Sequence, residues 1–230
     1  MQKKFTIVIP IFNEVESIFE LVEEIFSVFK NYKFELLIVN DGSTDTFINE
    51  SKKKFLKNKI NIVSHSTNKG KCVAMLTGVK KSKNNIVCVI DGDGQNPPSE
   101  AKKMLELWMK EDAFDFKILC GHRINRMDNF IKRISSKIAN YVRRLILEDD
   151  CFDTACALKV FHKKDYLKLG YFKNMHRFLP AMFKYYGGKV INIPIIDRTR
   201  KKGASKFNFN NRFWIGIIDL LKVLYFLKFK

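Results

Sequence analysis

Two short acidic turns contain residue types at spacings from which chemistry can be built. Asp91-Gly92-Asp93-Gly94-Gln95 follows the apolar run Ile86-Val87-Cys88-Val89-Ile90 and precedes Asn96-Pro97-Pro98. Two carboxylates one residue apart at the end of a buried strand can hold a hard divalent cation, which can in turn bridge the oxygens of a diphosphate. Gln95 offers a further oxygen ligand, and Gly92 and Gly94 let backbone and ligand approach closely. The second turn, Asn40-Asp41-Gly42-Ser43-Thr44-Asp45, follows Glu35-Leu36-Leu37-Ile38-Val39. A carboxylate at Asp41 can accept hydrogen bonds from a nucleobase or a ribose. Either turn alone is also ordinary turn chemistry. The pair, on neighbouring strand ends, is what points to a ligand.

Turns so placed need strands behind them. Phe5 to Ile11 is a near-continuous apolar run, as in a strand buried on both faces of a parallel sheet. Asn13 stands three residues before Glu16, a capping-box start for a helix with a stripe at Ile18, Leu21, Val22, Ile25, Phe26 and Phe29. The same rhythm predicts helices near 46–57 and 70–82, a strand at 60–64, and a helix capped by Ser99 and running to about Glu111. Strand–helix alternation with short connections implies an α/β fold, a doubly wound and mostly parallel sheet flanked by helices. Ligands then sit beyond the carboxyl ends of the strands, where both acidic turns fall. After residue 115 come a short strand at 116–121, a basic amphipathic helix over 128–147, a further strand, helix signals near 176–186 and a strand at 190–195. One domain over 1–207 with an amphipathic tail over 208–230 is the expected organisation.

Composition limits what such a site serves. Lys and Arg number 42 against 24 Asp and Glu, a formal net charge of +18, which suits nucleic acid, an anionic membrane surface or phosphorylated substrates. Cys72, Cys88, Cys120, Cys151 and Cys156 show no zinc or disulfide spacing and read as small buried hydrophobes. No signal peptide is expected, and no apolar run reaches the roughly 20 residues of a spanning helix. The 128–147 helix places Ile131, Ile134, Ile138, Tyr141, Val142 and Leu145 on one face, with Lys132, Arg133, Lys137, Arg143 and Arg144 off it. In the tail, Asp219 and Lys222 share a face, leaving Ile215, Ile218, Leu221, Leu224 and Tyr225 elsewhere. Both helices read as lying in a membrane interface. Packing on the sheet or on a second subunit is the alternative, which keeps a homo-oligomer open.

Taken in order, the motifs resemble family-2 glycosyltransferases. They are Ile9-Pro10-Ile11-Phe12-Asn13-Glu14, Val39-Asn40-Asp41-Gly42-Ser43-Thr44-Asp45, Asn68-Lys69-Gly70 and Asp91 through Pro98. Gly121-His122-Arg123, the 133–140 segment, Asp153 to Phe161, His176-Arg177-Phe178-Leu179-Pro180 and Arg200-x-x-Gly203-x-Ser205-Lys206 narrow the resemblance to the dolichol-phosphate mannosyltransferase and bacterial polyprenyl-phosphate branch. The resemblance covers residues 5 to 207. It implies a GT-A, Rossmann-like fold and inverting transfer of a sugar from a GDP- or UDP-linked donor to a polyprenyl phosphate. Pro10, Phe12, Glu14, Asp41 and Asp91 would bind the donor nucleotide. Asp91, Asp93 and Gln95 would hold Mg²⁺ or Mn²⁺. Arg123, Arg133, Ser136, Arg200 and Lys206 would bind the acceptor phosphate, with Asp93, Arg123, Arg200 and Lys206 the catalytic set. Phe12 and Asn40 stand where relatives often carry Tyr and Asp, departures that bear on base and ribose contacts.

An ionised phosphate acceptor needs no strong base, because a phosphate of second pKa around 6 is already a nucleophile near neutrality. Related enzymes acting on sugar hydroxyls carry a base in the second half. Glu148-Asp149-Asp150 reads as the acidic exit of a helix, and Asp153 reads as a positioning residue. Of the histidines, only His176 falls on a family motif, where it would touch sugar or phosphate; His65, His122 and His162 read as polar or partly buried. The expected setting is the cytoplasmic membrane face, peripherally bound, with no nucleic-acid partner. The rivals are transfer to a sugar hydroxyl, a sugar nucleotidyltransferase lacking its Gly-rich loop here, and a basic nucleic-acid binder that leaves the acidic turns unexplained.

Overall fold

The computed structural model describes residues 3–55, 60–110, 116–124, 140–199 and 218–227. Strands β1 (Phe5–Ile11), β2 (Phe34–Asn40), β3 (Ile60–Ser64), β4 (Ile86–Val89), β5 (Lys117–Arg123), β6 (Lys159–His162) and β7 (Lys189–Ile195) form one sheet in the order β3-β2-β1-β4-β6-β5-β7. Only β6 runs against its neighbours β4 and β5; the other pairings are parallel. Six carboxyl ends therefore share one edge of the sheet, joined there by the chain entering β6.

Side-chain parity explains the two-layer covering. Along β1, Phe5, Ile7, Ile9 and Ile11 pack against α1 (Val15–Val28) and α4 (Pro98–Lys110), while Val8 faces α3 (Lys71–Lys81). The same alternation divides Leu36 and Ile38 from Leu37 and Val39 on β2, and Ile86 and Cys88 from Val87 and Val89 on β4. Strands with both faces covered cannot alternate apolar with polar, which is why they read as unbroken apolar runs. Gly78 lets α3 lie close on the sheet: a Cβ there would stand 2.3 Å from Val8 Cγ1. All five cysteines are buried.

Two helix starts differ from the sequence expectation. Asn13 does not cap α1; its φ of 54° puts it in a turn, and the Val15 N–H donates instead to Asp45 Oδ2 at 3.1 Å. Helix α4 begins at Pro98, ahead of Ser99, with Glu100 N–H donating to Pro97 O at 3.0 Å. Beyond α2 (Phe47–Lys54), the second half adds α5 (140–147), α6 (Lys163–Lys168), a 3₁₀ turn (Met175–Arg177), α7 (Leu179–Tyr185) and α8 (218–227).

On α5, Tyr141, Val142, Leu145 and Ile146 are exposed, whereas Arg143 is buried. Arg143, expected off the apolar face, turns inward to Asp149, with Nε 2.8 Å from Asp149 Oδ2. Arg143 also meets Asn140 Oδ1 at 2.8 Å and reaches Thr154 Oγ1 and Cys151 O. Asp149 is thus the buried partner of Arg143 rather than a solvated helix exit. In α8 the expected shared face of Asp219 and Lys222 is split: Lys222 is exposed, while Asp219 is buried and accepts from Asn174 Nδ2 at 2.9 Å. Val223 of α8 joins Leu147, Phe178 and Ala181 in a small core, leaving Ile218, Leu221 and Tyr225 exposed.

Candidate functional site

The edge where β1, β2 and β4 end is the crossover point of the sheet, with β1 between the other two. Two of its turns are stitched together. Asn13 N–H donates to Ser43 Oγ at 3.0 Å, Thr44 N–H donates to Asn13 Oδ1 at 2.8 Å, and Asp45 caps α1 as described. Gly42 takes φ +70°, and a Cβ there would lie 2.4 Å from the Thr67 carbonyl carbon, so the β2 turn abuts the loop after β3. That packing delivers Asp41, which is buried. Its Oδ1 accepts from Lys69 N–H at 3.0 Å and from His65 Nδ1–H at 2.6 Å, and its Oδ2 accepts from Gly70 N–H at 2.8 Å. His65 Nε2 lies 3.0 Å from Thr77 Oγ1. Asp41 thus fixes the entry to α3 while standing at the β2 end. Pro10 is buried in β1, and Phe12 and Glu14 follow at its end, partly buried.

Asp91 and Asp93 sit at the β4 end. Asp91 Oδ1 is 2.5 Å from Lys71 Nζ, the first residue of α3. Asp93 Oδ1 accepts from Gln95 N–H at 3.1 Å. The turn is braced from two directions. Ser17 Oγ–H of α1 donates to Gly92 O at 2.8 Å. From the β7 exit, Arg198 donates Nε–H to Gly94 O at 2.5 Å, its backbone N–H to Gln95 O at 3.0 Å, and Nη2–H to Glu24 Oε2 at 2.7 Å. A turn tied through its own carbonyls leaves little freedom for the carboxylates it presents.

Arg123 ends β5 in a nearly closed environment. Its Nε–H and Nη2–H donate to Asp153 Oδ2 and Oδ1 at 2.6 and 3.0 Å, and Nη1 is 3.7 Å from Asp197 Oδ2. Burial disfavours the guanidinium charge, but Asp153 and Asp197 outweigh it and push the pKa up, so Arg123 stays charged. Asp197 in turn accepts from Asn96 Nδ2 at 2.9 Å, and burial raises its carboxyl against the pull of Arg123. His176 Nδ1 lies 2.9 Å from Cys72 Sγ, beside Lys71. Burial, with the charges of Lys71, Arg177 and Lys159, holds its pKa well below the usual histidine range, so His176 is neutral at pH 7.

Of the residues chosen from sequence, Pro10, Phe12, Glu14, Asp41, Asp91, Asp93, Gln95 and Arg123 all lie along this one edge, at strand ends. Arg133, Ser136, Arg200 and Lys206 lie outside the described residues. Sequence reasoning missed Lys71, His65, Asp197 and Arg198. Lys71 had a readable signal, a cation directly after Asn68-Lys69-Gly70 at a helix start; the other three act through partners too distant in sequence to infer.

The chain is similar to several known proteins. A family model described as Glycosyl transferase family 2 matches residues 6–170. Dodecaprenyl-phosphate galacturonate synthase of Rhizobium johnstonii is 31% identical over 235 residues, covering 99% of this chain and 68% of that protein. Undecaprenyl-phosphate 4-deoxy-4-formamido-L-arabinose transferase of Pectobacterium carotovorum is 26% identical over 212 residues, covering 90% and 63%. The chain thus spans about two thirds of the length of these relatives. Glucosyl-3-phosphoglycerate synthase from Mycobacterium tuberculosis, solved with Mn²⁺, uridine diphosphate and glucosyl-3-phosphoglycerate, superimposes with a TM-score of 0.73, covering 98% of this chain and 80% of that one. At 12% identity that likeness is one of fold.

Proposed function

This chain belongs to glycosyl transferase family 2, and from that premise we propose that it transfers a sugar, with inversion, from a nucleotide sugar to a polyprenyl phosphate. The observation that carries this reading is the convergence of Asp41, Asp91 and Asp93 at neighbouring strand ends, with Lys71 at the start of α3 paired to Asp91. Asp41 would meet the base or ribose of a GDP- or UDP-linked donor, with Pro10, Phe12 and Glu14 lining the pocket. Asp91 and Asp93, with Gln95, fit Mg²⁺ or Mn²⁺: the donors are hard oxygens, and Asp91 already pairs with the ammonium of Lys71. Two carboxylates and an amide suit an ion shared with substrate phosphates, and both relatives that carry polyprenyl phosphate in their names are consistent with the acceptor. Bound there, the ion supplies positive charge where the nucleoside diphosphate departs.

Arg123 would face the acceptor or donor phosphates as a cation already aligned by two carboxylates, stabilising charge without reorganising. Arg133, Ser136, Arg200 and Lys206 are proposed to grip the same phosphates. Both oxygens of Asp153 are bound to Arg123, which favours a positioning role over proton abstraction. An acceptor that arrives ionised, as a lipid phosphate does, needs no more. Among the described residues no helix is long and apolar enough to cross a membrane. The exposed rows Tyr141, Val142, Leu145 and Ile146 on α5, and Ile218, Leu221 and Tyr225 on α8, are proposed to rest on an anionic membrane at its cytoplasmic face.

The test is transfer itself. Purified protein with Mn²⁺ or Mg²⁺, a panel of radiolabelled nucleotide sugars and a short-chain polyprenyl phosphate should give label extractable into organic solvent, and Asp93→Ala should abolish it. Nucleotide-sugar binding without lipid-linked product would refute the acceptor and turn attention to sugar hydroxyls.

A further inference from the structure

Lys71 is the one cation that the described residues place against the acidic pair. Its backbone is set from behind. Gly70 N–H donates to Asp41 Oδ2 at 2.8 Å, Lys69 N–H donates to Asp41 Oδ1 at 3.0 Å, and Val73 N–H closes the first turn of α3 on Gly70 O at 3.0 Å. The nucleoside-side carboxylate thus fixes where Lys71 starts. Its ammonium then crosses to Asp91 Oδ1 at 2.5 Å, with the two side chains 35% and 29% exposed, open enough for either to exchange partners.

A divalent ion and an ammonium compete for that carboxylate. Mg²⁺ demands its oxygens at about 2.0–2.1 Å in near-octahedral order, and a cation already at contact distance both fills a lone-pair direction of Oδ1 and repels the incoming ion. Once displaced, the lysine has a flexible four-carbon stem and a compact, rotatable charge. In a loaded site the new anion beside it is the diphosphate. We propose that Lys71 is a stand-in cation: it neutralises Asp91 while the site is empty of donor, yields that carboxylate to the divalent ion, and carries its ammonium onto the donor diphosphate. The inference rests on the nucleotide-sugar reading above and adds to it a binding residue with an ordered exchange of partners. Its consequence is that one substitution moves two affinities in opposite directions, which loss of a merely structural residue does not do.

The experiment measures Mn²⁺ binding to donor-free protein by electron paramagnetic resonance, and UDP and GDP binding at saturating Mn²⁺ by calorimetry. Lys71→Gln is expected to bind Mn²⁺ about tenfold more tightly without nucleotide, the scale on which one close charge shifts another. It is expected to bind the favoured nucleotide about tenfold more weakly, through loss of a charge-assisted contact. Lys71→Arg, which keeps the charge, should stay near wild type in both. With Mn²⁺ removed by EDTA, Asp91→Asn should bind the nucleotide more tightly than wild type, because its lysine is already released. Donor-free Mn²⁺ affinity that is unchanged or weaker in Lys71→Gln, in protein with wild-type circular dichroism, overturns the inference; so does unchanged nucleotide binding. Wild-type protein that binds neither UDP nor GDP with Mn²⁺ refutes the donor reading itself, and this inference falls with it.

Discussion

Replacing Asp153 by Asn separates two ways of using a carboxylate at the β6 entrance. Asp153 and Arg123 are 4% and 14% exposed at the side chain, and two hydrogen bonds of 2.6 and 3.0 Å join them. Asn keeps the shape but loses the charge and one acceptor, leaving a guanidinium in a closed site with Asp197 at 3.7 Å as its remaining carboxylate. Breaking a buried pair from one side costs about 3–5 kcal/mol, and the partial cover from Asp197 argues for about 3. For a chain of this size that corresponds to a drop in melting temperature of about 6–12 °C. Calorimetry on the Asp153→Asn protein measures it directly. Arg123→Met paired with Asp153→Leu, which removes both charges, should recover most of the loss while leaving transfer impaired. If Asp153 were instead the base for a sugar hydroxyl, Asn would remove one limb of the pH–rate profile of transfer, whatever its cost in stability. That result would refute the positioning role and the argument from it to a phosphate acceptor.

Three further outcomes are expected. Arg198→Ala, which frees the carbonyl of Gly94 and unpairs Glu24 while keeping the backbone bond to Gln95, should weaken Mn²⁺ binding about tenfold, as loss of supporting contacts around metal ligands does; magnetic resonance titration checks it, and unchanged affinity shows that the turn holds itself. Because the folded state keeps His176 neutral while the unfolded chain takes up its proton below about pH 6.5, stability should fall as pH drops through that value. His176→Gln should flatten that part of the curve relative to wild type, seen as a smaller difference between melting temperatures at pH 5 and pH 7. Asp at Leu145 and Leu221, both exposed, should lower flotation with anionic vesicles several-fold and leave the melting temperature within about 1–2 °C, as surface changes do.

The β/α alternation was legible because buried parallel strands announce themselves: Phe5–Ile11 and Phe34–Asn40 emerge within a residue or so of their expected limits. The acidic turns were legible for the same reason, since a carboxylate directly after such a run sits at a strand end. Contacts between elements were not. Asp45 caps α1 from a different turn, 30 residues away. Arg198 reaches Glu24 across 174 residues. The inward turn of Arg143 was not legible, because its partner Asp149 lies just past the end of α5 and is buried only once that segment turns inward. Helical periodicity sorts faces correctly, but which face meets the core is decided by partners that periodicity does not contain. On α5 the apolar face looks outward and the arginine inward, and on α8 Asp219 is the residue that is buried.

The central claim, transfer of a sugar onto a lipid phosphate, is tested most directly by the bond made in the product. Phosphorus and proton magnetic resonance of the lipid-extracted product should show a phosphodiester to the anomeric carbon, in the configuration opposite to that of the nucleotide-sugar donor. A product joined through a sugar hydroxyl, or one that retains the donor's configuration, would contradict the account.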